Sequence, residues 1–415
     1  MAGIHRRRPG AASMAPADGS PARRIADGTW MSSGLSNSYL LSTDDGRIVI
    51  NTGMGFEGPL HRAAYDAVDP SPTHTIILTQ GHYDHVGGVD TFAEPATEIV
   101  MQEHYGTWRA DNERLETFRS RNAAFAWIDA ILAAMEHARS LGAGAVAQSR
   151  PVPTRTFADT LALRIGGRNL TLLSVPGGET TDSLVVWSPD DRTLFSGNLF
   201  GPLFGHVPNL VTIRGDRYRD PLAYVASLER VLDLAPERLV TGHFDPIDGA
   251  DLIAEEIGAM RDAMVWVHDR TVDGMNAGAD VHTLMREVRV PEHLDVGEGY
   301  GRTAWNVRAI WEQYAGWFHH RSTTELYPAP AHGVAVDLVR AAGADALVAL
   351  AADHVAAGRP VEALHLTDIV LTVEPAHAGA RDAAIAAHEA LLAASGNFWE
   401  AAWLRRAITK LREVP

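Results

Sequence analysis

The fold of this chain is decided by the stretch Thr79-Gln80-Gly81-His82-Tyr83-Asp84-His85-Val86-Gly87-Gly88. An apolar, β-branched run from Thr75 to Thr79 leads into it and predicts a buried strand. A tight loop at the end of a strand aims alternate side chains at one point, and the two glycines let the backbone turn. Imidazole nitrogen from His and hard oxygen from Asp suit zinc, iron or manganese. The stretch therefore predicts a metal site at the end of a strand.

Composition limits the chemistry of such a site. The chain has 415 residues, no cysteine and a formal net charge of −16. Without cysteine there is no disulfide and no thiolate nucleophile, so any metal is held by His, carboxylate or amide oxygen. The negative charge argues against nucleic acid or an anionic membrane surface as the main partner. We therefore expect a small-molecule substrate.

The N-terminal residues 1–25 are rich in Arg, Pro, Ala, Gly and Ser. No apolar run of signal-peptide length follows the early arginines, and no stretch in the chain is long and apolar enough to span a membrane. We expect a disordered tail over residues 1–25 and a cytoplasmic protein.

Short apolar runs predict the strands of a sandwich. They lie at Tyr39–Leu41, Ile48–Ile50, Glu98–Met101, Thr160–Ile165, Leu170–Ser174, Leu184–Trp187, Thr193–Phe195 and Arg238–Val240. Helical periodicity predicts helices over about Asn122–Ser140 and Pro221–Leu234. Two strand-rich halves with peripheral helices indicate an α/β fold of the αββα sandwich type.

Helical patterns dominate after about Ala250, which predicts an all-α C-terminal region. Asp337–Ala357 and Val361–Thr372 form one expected antiparallel pair, and Arg381–Ala394 and Phe398–Arg412 form another. Such pairs are typical either of helix-turn-helix repeats that build interaction surfaces or of plain helical packing.

Several motifs carry a resemblance to a known family. Thr79–Gly88 resembles the His-x-His-x-Asp-His signature of the metallo-β-lactamase fold, and Asn51-Thr52-Gly53 resembles its early Asp-Thr-Gly loop. The later motifs resemble those of the alkyl sulfatases (alkyl sulfohydrolases). Val175–Glu179 is similar to their Pro-Gly-Thr-Glu segment, and Ser196-Gly197-Asn198 falls where they place a bridging Glu. Asn209–Gly215 with Arg219-Asp220 resembles their Asn-Leu-Tyr-Thr-Leu-Arg-Gly…Arg-Asp segment, and Gly242-His243 resembles their last metal-binding His.

The resemblance continues in the helical region. Tyr300-Gly301, Asn306–Ala309, Tyr314–Phe318 and Trp403–Arg405 are similar to the alkyl sulfatase dimerisation domain, which implies a homodimer. We therefore expect a catalytic domain over residues 26–280 and a helical dimerisation domain over residues 281–415. The sterol-carrier-like third domain usual in that family is expected to be absent, since the chain stops at Pro415.

The resemblance implies a metal site with one or two ions of zinc, or alternatively iron or manganese. The first metal position would use His82 and Glu179 with Gln80 as a third ligand. The second would use Asp84, His85 and His243. Asn198 stands where the bridging carboxylate is expected. Gln80 and Asn198 replace strong ligands by amides that carry no charge. We expect the second position to be the better occupied.

The implied reaction is hydrolysis of a sulfate ester of an apolar alcohol by a metal-bound hydroxide. Asp84 would hold the water as well as the metal, and Tyr83 would either contact substrate or pack beside the site. The sulfate would bind Arg214 and Arg219, with Asn209 and Thr212 as neutral donors. The aromatic stripe Trp305–Phe318 is expected in the core or the dimer interface, and the apolar helices beside it are candidates to wall a tunnel for the alkyl chain.

Three alternatives stay open at this point. The first is a hydrolase of the same fold that acts on a lactone, thioester or other ester. The second is an iron-dependent oxygenase, because Asp84, His85 and His243 make a two-His-one-carboxylate set. The third is a non-catalytic dimer with a weakened metal site.

Overall fold

The structure of the protein is a computed structural model, and it describes residues 3–144, 146–211 and 213–413. Its strands are β1 (Arg23–Ala26), β2 (Thr29–Ser32), β3 (Ser38–Thr43), β4 (Gly46–Ile50), β5 (Thr73–Ile77), β6 (Glu98–Gln102), β7 (Arg155–Phe157), β8 (Thr160–Ile165), β9 (Arg168–Ser174), β10 (Leu184–Ser188), β11 (Thr193–Gly197), β12 (Arg238–Thr241) and β13 (Ile247–Asp248).

The strands form two sheets. The first contains β1 to β7 in sequence order, antiparallel from β1 to β4 and parallel from β4 to β7. The second has the order β13-β12-β11-β10-β9-β8, in which only β11 and β12 pair in parallel. Because β9, β11 and β12 run in the same direction, their carboxyl ends lie at one edge of the second sheet.

Alternating side chains of the strands build two separate layers of core. On β3, Tyr39 and Leu41 belong to the cluster shared with Leu172, Val186 and other residues of the second sheet. Leu40 points the other way, into a cluster with helical residues such as Tyr65. This period of two is what a sheet buried on both faces requires. The αββα sandwich expected from the sequence is confirmed.

The α-helices are α1 (Gly58–Asp66), α2 (Tyr83–Val86), α3 (Val89–Phe92), α4 (Tyr105–Arg114), α5 (Glu116–Ser140), α6 (Pro221–Leu232), α7 (Ala250–Asn276), α8 (Val281–Glu287), α9 (Thr303–Ala315), α10 (Ala335–Ala342), α11 (Ala344–Ala356), α12 (Pro360–Val373), α13 (Ala378–Ala394) and α14 (Phe398–Glu413). Short 3-10 turns lie at Ile4–Arg6, Ala11–Ser13, Glu292–Leu294, Thr323–Leu326 and Ala331–Val334. Among the described residues, no helix combines the length and the apolar character that crossing a bilayer requires.

The N-terminal segment differs from the disordered tail that we expected over residues 1–25. From residue 3 onward it packs on the sandwich domain: Ile4 is buried and its N–H donates to Glu256 Oε1 over 2.8 Å, and Arg6 pairs with Asp295 over 2.6 Å. Ala17 is also buried. The order comes from partners that are distant in sequence, which the local composition of the segment does not reveal.

The chain divides into two compact units, Met1–Tyr314 and Ala315–Pro415. In the second unit, the single helix expected over Asp337–Ala357 is in fact two, α10 and α11. Gly343 separates them with φ of +84°, a left-handed conformation that interrupts an α-helix and suits glycine. The other three predicted helices correspond to α12, α13 and α14.

Candidate metal centre and substrate cavity

The loops that follow four strands converge on one place. After β5, a loop carries Gln80 and His82 and the short helix α2 carries Asp84 and His85. The loops after β9, β11 and β12 carry Glu179, Asn198 and His243. Two hydrogen bonds fasten these loops to one another: Leu184 N–H donates to Thr79 O, and Gly242 N–H donates to Gly197 O, each over 2.9 Å. The sheet edges therefore bring together side chains that lie far apart in sequence.

Glycine is needed where the loops approach most closely. A Cβ on Gly88 would lie 2.3 Å from the Thr52 carbonyl oxygen, and one on Gly242 would lie 2.2 Å from Asn198 Oδ1. Asn51, which replaces the family's Asp, has φ of +57° and holds the ligand loop through a 2.9 Å bond from Thr79 N–H to its Oδ1. Asn tolerates this left-handed conformation better than most residues do.

Asp84, His85 and His243 form a cluster with metal-ligand geometry. One ligand atom from each lies within 4.8 Å of the others. Asp84 Oδ2 is 3.4 Å from His85 Nε2 and 3.8 Å from His243 Nε2. These are the three residues that the sequence assigned to the second metal position, and the structure brings all three together.

The two imidazoles of the cluster direct Nε2 toward Asp84, and Nε2 of His243 also lies 3.2 Å from Asn198 Nδ2. His243 Nδ1 is 2.7 Å from the carbonyl oxygen of Leu35, which can only accept, so the proton lies on Nδ1 and Nε2 is left with a lone pair. His85 Nε2 is buried and has no hydrogen-bond partner among the described residues. Burial lowers the pKa of His85 to about 4, so its ring is neutral near pH 7. An orphaned nitrogen beside a carboxylate fits a bound metal ion.

The other expected position has a different character. Glu179 Oε2 accepts from Asn198 Nδ2 over 3.0 Å and from Gln80 Nε2 over 3.4 Å, and it lies 3.4 Å from His82 Nδ1. His82 Nε2 in turn is 3.3 Å from Arg214 Nη2. Both ring nitrogens of His82 therefore face protein groups, and both amides turn their N–H groups toward the carboxylate that would have bound a metal.

Cationic groups compensate the buried carboxylate of Glu179. Arg219 Nη1 is 3.8 Å from Glu179 Oε1. Desolvation alone would raise the pKa of Glu179, but the hydrogen bond from His82 and the charge of Arg219 outweigh it and hold the pKa well below its ordinary value. Glu179 is thus kept ionised by groups of the protein itself.

A cavity of about 410 Å³ opens beside the cluster. Its polar end is lined by His82, Tyr83, Asp84, Glu179, Asn198, Arg214, Asp216, His243 and Tyr300. Its apolar lining comes from Met14, Leu35, Met54, Trp108 and Pro202 and from Ala123, Ala124, Trp127, Ile128 and Ile131 of α5, a helix that also contributes the polar Glu116, Arg119 and Ser120. The wall therefore comes from α5 and not from the helices beside the stripe Trp305–Phe318, which contributes no residue to the lining among those described.

The predicted sulfate-binding residues separate into two groups. Arg214 lines the cavity, whereas the buried Asn209 and the partly buried Arg219 lie outside its lining in the described part of the chain. Arg219 Nη1 donates to the Asn209 carbonyl oxygen over 2.8 Å. Thr212 lies outside the described residues.

Two residues that the sequence analysis missed complete the polar end. Asp216 Oδ2 accepts from Arg214 Nε over 2.7 Å, and Asp216 Oδ1 is 3.4 Å from Arg119 Nε. Both Arg119 and Asp216 line the cavity. Neither belongs to a motif, and only the approach of α5 to the loop after β11 reveals them.

Comparisons with known proteins support the same picture. The family model described as "Metallo-beta-lactamase superfamily" matches residues 32–243, and the one described as "Alkyl sulfatase dimerisation" matches residues 281–413. The chain is 28% identical over 309 residues to a linear primary-alkylsulfatase of a Pseudomonas strain, covering 70% of this chain and 58% of that protein. It is 24% identical to the alkyl/aryl-sulfatase BDS1 of Saccharomyces cerevisiae, covering 94% and 64%.

A solved structure shares the fold over nearly the whole chain. The stereoselective inverting sec-alkylsulfatase Pisa1 from Pseudomonas sp. superposes with a TM-score of 0.82 at 21% identity, covering 95% of this chain and 66% of that one. The chain thus spans roughly three fifths of the length of the curated relatives it matches. The resemblance that the sequence motifs indicated is confirmed.

Proposed function

Because the chain belongs to the metallo-beta-lactamase superfamily, we propose that it is a metal-dependent hydrolase that cleaves a sulfate ester of an apolar alcohol. One observation carries the proposal: a single cavity connects the Asp84 and His243 cluster and Arg214 to an apolar wall on α5. A sulfate ester of an apolar alcohol has the same division into an anionic head and an apolar body.

The metal ion would be held by Asp84, His85 and His243. When bound, it would lower the pKa of a coordinated water and act as a Lewis acid toward the substrate. Asp84 is the one carboxylate of this set, and its partly exposed side chain faces the cavity, so it is the group placed to orient the attacking water. The imidazoles would supply Nε2 as ligand atoms, and the Leu35 carbonyl engages His243 Nδ1 on the other side of its ring.

We propose one metal ion for each chain, with zinc as the first candidate and iron or manganese as the others. The residues present fit the Asp84, His85 and His243 position. They do not fit a second ion between His82 and Glu179, because Gln80 and Asn198 turn N–H donors toward Glu179 there. An N–H group cannot coordinate a cation, and the hydrogen bonds already satisfy the carboxylate.

Arg214 is the proposed ligand of the sulfate. It lines the cavity, its Nε pairs with Asp216 Oδ2 over 2.7 Å, and its Nη2 lies 3.3 Å from His82 Nε2. Arg119 adds a second positive charge to the same end. We propose that Arg219 and Asn209 position Glu179 and do not contact the sulfate, since both lie outside the cavity lining.

The remaining predictions from the sequence belong to the same proposal. A homodimer is supported by the match of residues 281–413 to the dimerisation family. The start of that match supports a family boundary near residue 280, whereas the compact units divide after Tyr314. The cytoplasmic location stays a prediction, and we include it in the proposal.

The test is sulfate release from linear and branched alkyl sulfates, with zinc, manganese or iron(II) added and a chelator in the control. We expect metal-dependent release that Arg214→Ala lowers by about tenfold or more, because a hydrogen bond between charged groups is lost. Arg217→Ala is the matched control, since Arg217 is exposed and pairs with Asp111.

Other outcomes of this test separate the alternatives. Opening of lactones to hydroxy acids or release of a thiol from thioesters, without release of sulfate and with indifference to Arg214→Ala, would favour a different hydrolase. Oxygen consumption with bound iron would favour an oxygenase. Failure with every metal and every substrate, from folded protein, would contradict catalysis.

A further inference from the structure

Glu57 is a buried carboxylate that neither the metal cluster nor the proposed reaction uses. It is 0% exposed. Its Oε1 accepts from the N–H groups of Ala17 and Leu35 over 2.8 and 2.9 Å, and its Oε2 accepts from Met54 N–H over 3.2 Å. One side chain thereby holds three backbone segments, from the N-terminal segment, from the β2–β3 loop and from the loop after β4.

Each of these segments contributes a wall of the cavity. Leu35 and Met54 line it directly, and the N-terminal segment lines it through Met14, shortly before Ala17. Leu35 and Met54 also pack in the apolar cluster that contains Ala134 and Ala138 of α5. The position of the Glu57 carboxylate therefore determines where the apolar walls opposite α5 lie.

The same carboxylate is connected to the metal cluster through one residue, Leu35. The N–H of Leu35 donates to Glu57, and the carbonyl of Leu35 accepts from His243 Nδ1 over 2.7 Å. The orientation of His243 is thus set by a backbone carbonyl whose own residue is fixed by Glu57. Groups that orient a metal-binding His typically change metal affinity by about 10- to 100-fold when they are removed.

We propose that Glu57 is a positioning residue that couples the apolar wall of the cavity to the metal ligand His243, and that the N-terminal segment is a specificity element through Met14. This inference rests on the proposed metal site and on an apolar substrate, but not on hydrolysis of a sulfate ester. The partner that it predicts for the cavity is an amphiphile with an anionic head and an alkyl chain.

The test measures two binding constants that need no turnover. Zinc affinity is measured by competition with a chromophoric chelator, and cavity affinity by calorimetric titration of the zinc-loaded protein with decanesulfonate, which has no ester oxygen to cleave. The variants are Glu57→Gln, Glu57→Ala and Met14→Ala. Thermal unfolding establishes that each is folded, and Glu57→Gln preserves the side-chain volume if Glu57→Ala is unstable.

We expect the Glu57 variants to weaken zinc binding by about tenfold or more and to weaken decanesulfonate binding as well. Met14→Ala should weaken decanesulfonate binding severalfold and leave zinc affinity unchanged. The matched control is Glu256→Gln, which changes another buried carboxylate that accepts from the N-terminal segment, at Ile4 N–H, away from the cavity lining.

Unchanged zinc and decanesulfonate affinities in folded Glu57→Gln and Glu57→Ala would overturn the proposal. Equal losses in Glu256→Gln would also overturn it, because they would show a general loosening of the segment and no specific role of Glu57. A protein that hydrolyses no sulfate ester yet loses zinc affinity in the Glu57 variants would support the positioning role while refuting the proposed function.

Discussion

Asn198 donates a hydrogen bond from Nδ2 to Glu179 Oε2 over 3.0 Å, and the same nitrogen lies 3.2 Å from His243 Nε2. Both neighbours are acceptors, since His243 carries its proton on Nδ1. The amide nitrogen, and not the amide oxygen, therefore faces the place where a bridging ligand would be needed. Gln80 Nε2 also donates to Glu179 Oε2, over 3.4 Å, so hydrogen bonds engage the carboxylate that the family resemblance assigns to the other metal position.

The first prediction concerns the number of metal ions. We expect one equivalent of zinc for each chain after reconstitution and removal of excess metal. The double variant Gln80→His with Asn198→Glu restores the residue types that the family resemblance implies, and it should bind close to two equivalents. Elemental analysis of folded protein provides both values.

A control variant tests whether the zinc is bound at the cluster and not at histidines elsewhere. His104 is an exposed His outside the cluster, so His104→Ala should retain one equivalent. His243→Ala removes one of three ligands and should lose the metal during dialysis. Two equivalents in the unmodified protein would contradict the single-metal account.

The second prediction concerns close packing at the metal cluster. A Cβ at position 242 would lie 2.2 Å from Asn198 Oδ1 and 3.0 Å from His85 Cε1, so Gly242→Ala should displace both side chains and weaken zinc binding. At Gly258 in α7 a Cβ has nothing within 4 Å. There, Gly258→Ala should stabilise the fold by about 0.5–1 kcal/mol through helix propensity and leave zinc affinity unchanged. Chemical unfolding measures the stability of the two variants, and competition with a chelator measures their zinc affinity. Wild-type zinc affinity in Gly242→Ala would refute this tight packing around Asn198 and His85.

The third prediction concerns pH. Burial raises the pKa of Glu57 to about 7 from an ordinary value of 4.5. Because the folded pKa lies above the unfolded one, the stabilisation is fully present below pH 4.5 and is lost as the pH rises through 7. The stability of the wild type relative to Glu57→Gln should therefore fall by about 3 kcal/mol at most across this range. Urea unfolding of both proteins in the presence of chelator measures this difference. If the free energies of unfolding of the two proteins changed in parallel with pH, burial would not raise the pKa of Glu57.

The fourth prediction concerns the wall on α5. Ala124 lines the apolar end, so Ala124→Phe should fill part of the cavity. We expect kcat/KM to fall more for long alkyl sulfates than for short ones, because only long chains reach the added ring. Ala133→Phe on the exposed side of the same helix is the matched control. An equal loss for all chain lengths would place the alkyl chain elsewhere.

The sequence predicted the parts of the fold that depend on local patterns. The alternating strands at Tyr39–Leu41 and Ile48–Ile50, and the ligand loop after β5, follow from apolar runs and adjacent glycines. α4 was missed because Tyr105–Arg114 is polar and has no apolar periodicity. The interruption at Gly343 was missed because glycine also occurs within helices, as at Gly258.

The parts of the site that escaped prediction depend on contacts between distant segments. The family resemblance grouped Asp84, His85 and His243 as ligands of one metal position. The role of Asp216 depends on the approach of Arg119, and that of Glu57 on Ala17, Leu35 and Met54. The orientation of the Gln80 and Asn198 amides is likewise a property of the assembled loops, although the substitutions themselves were visible in the sequence.

The most direct test of the single-metal site is an anomalous difference map from crystals of the zinc-loaded protein, collected at the zinc edge. We predict one strong peak within coordination distance of Asp84, His85 and His243, with Glu179 still hydrogen-bonded to Asn198. A second peak of similar height between His82 and Glu179, or a single peak there, would contradict it.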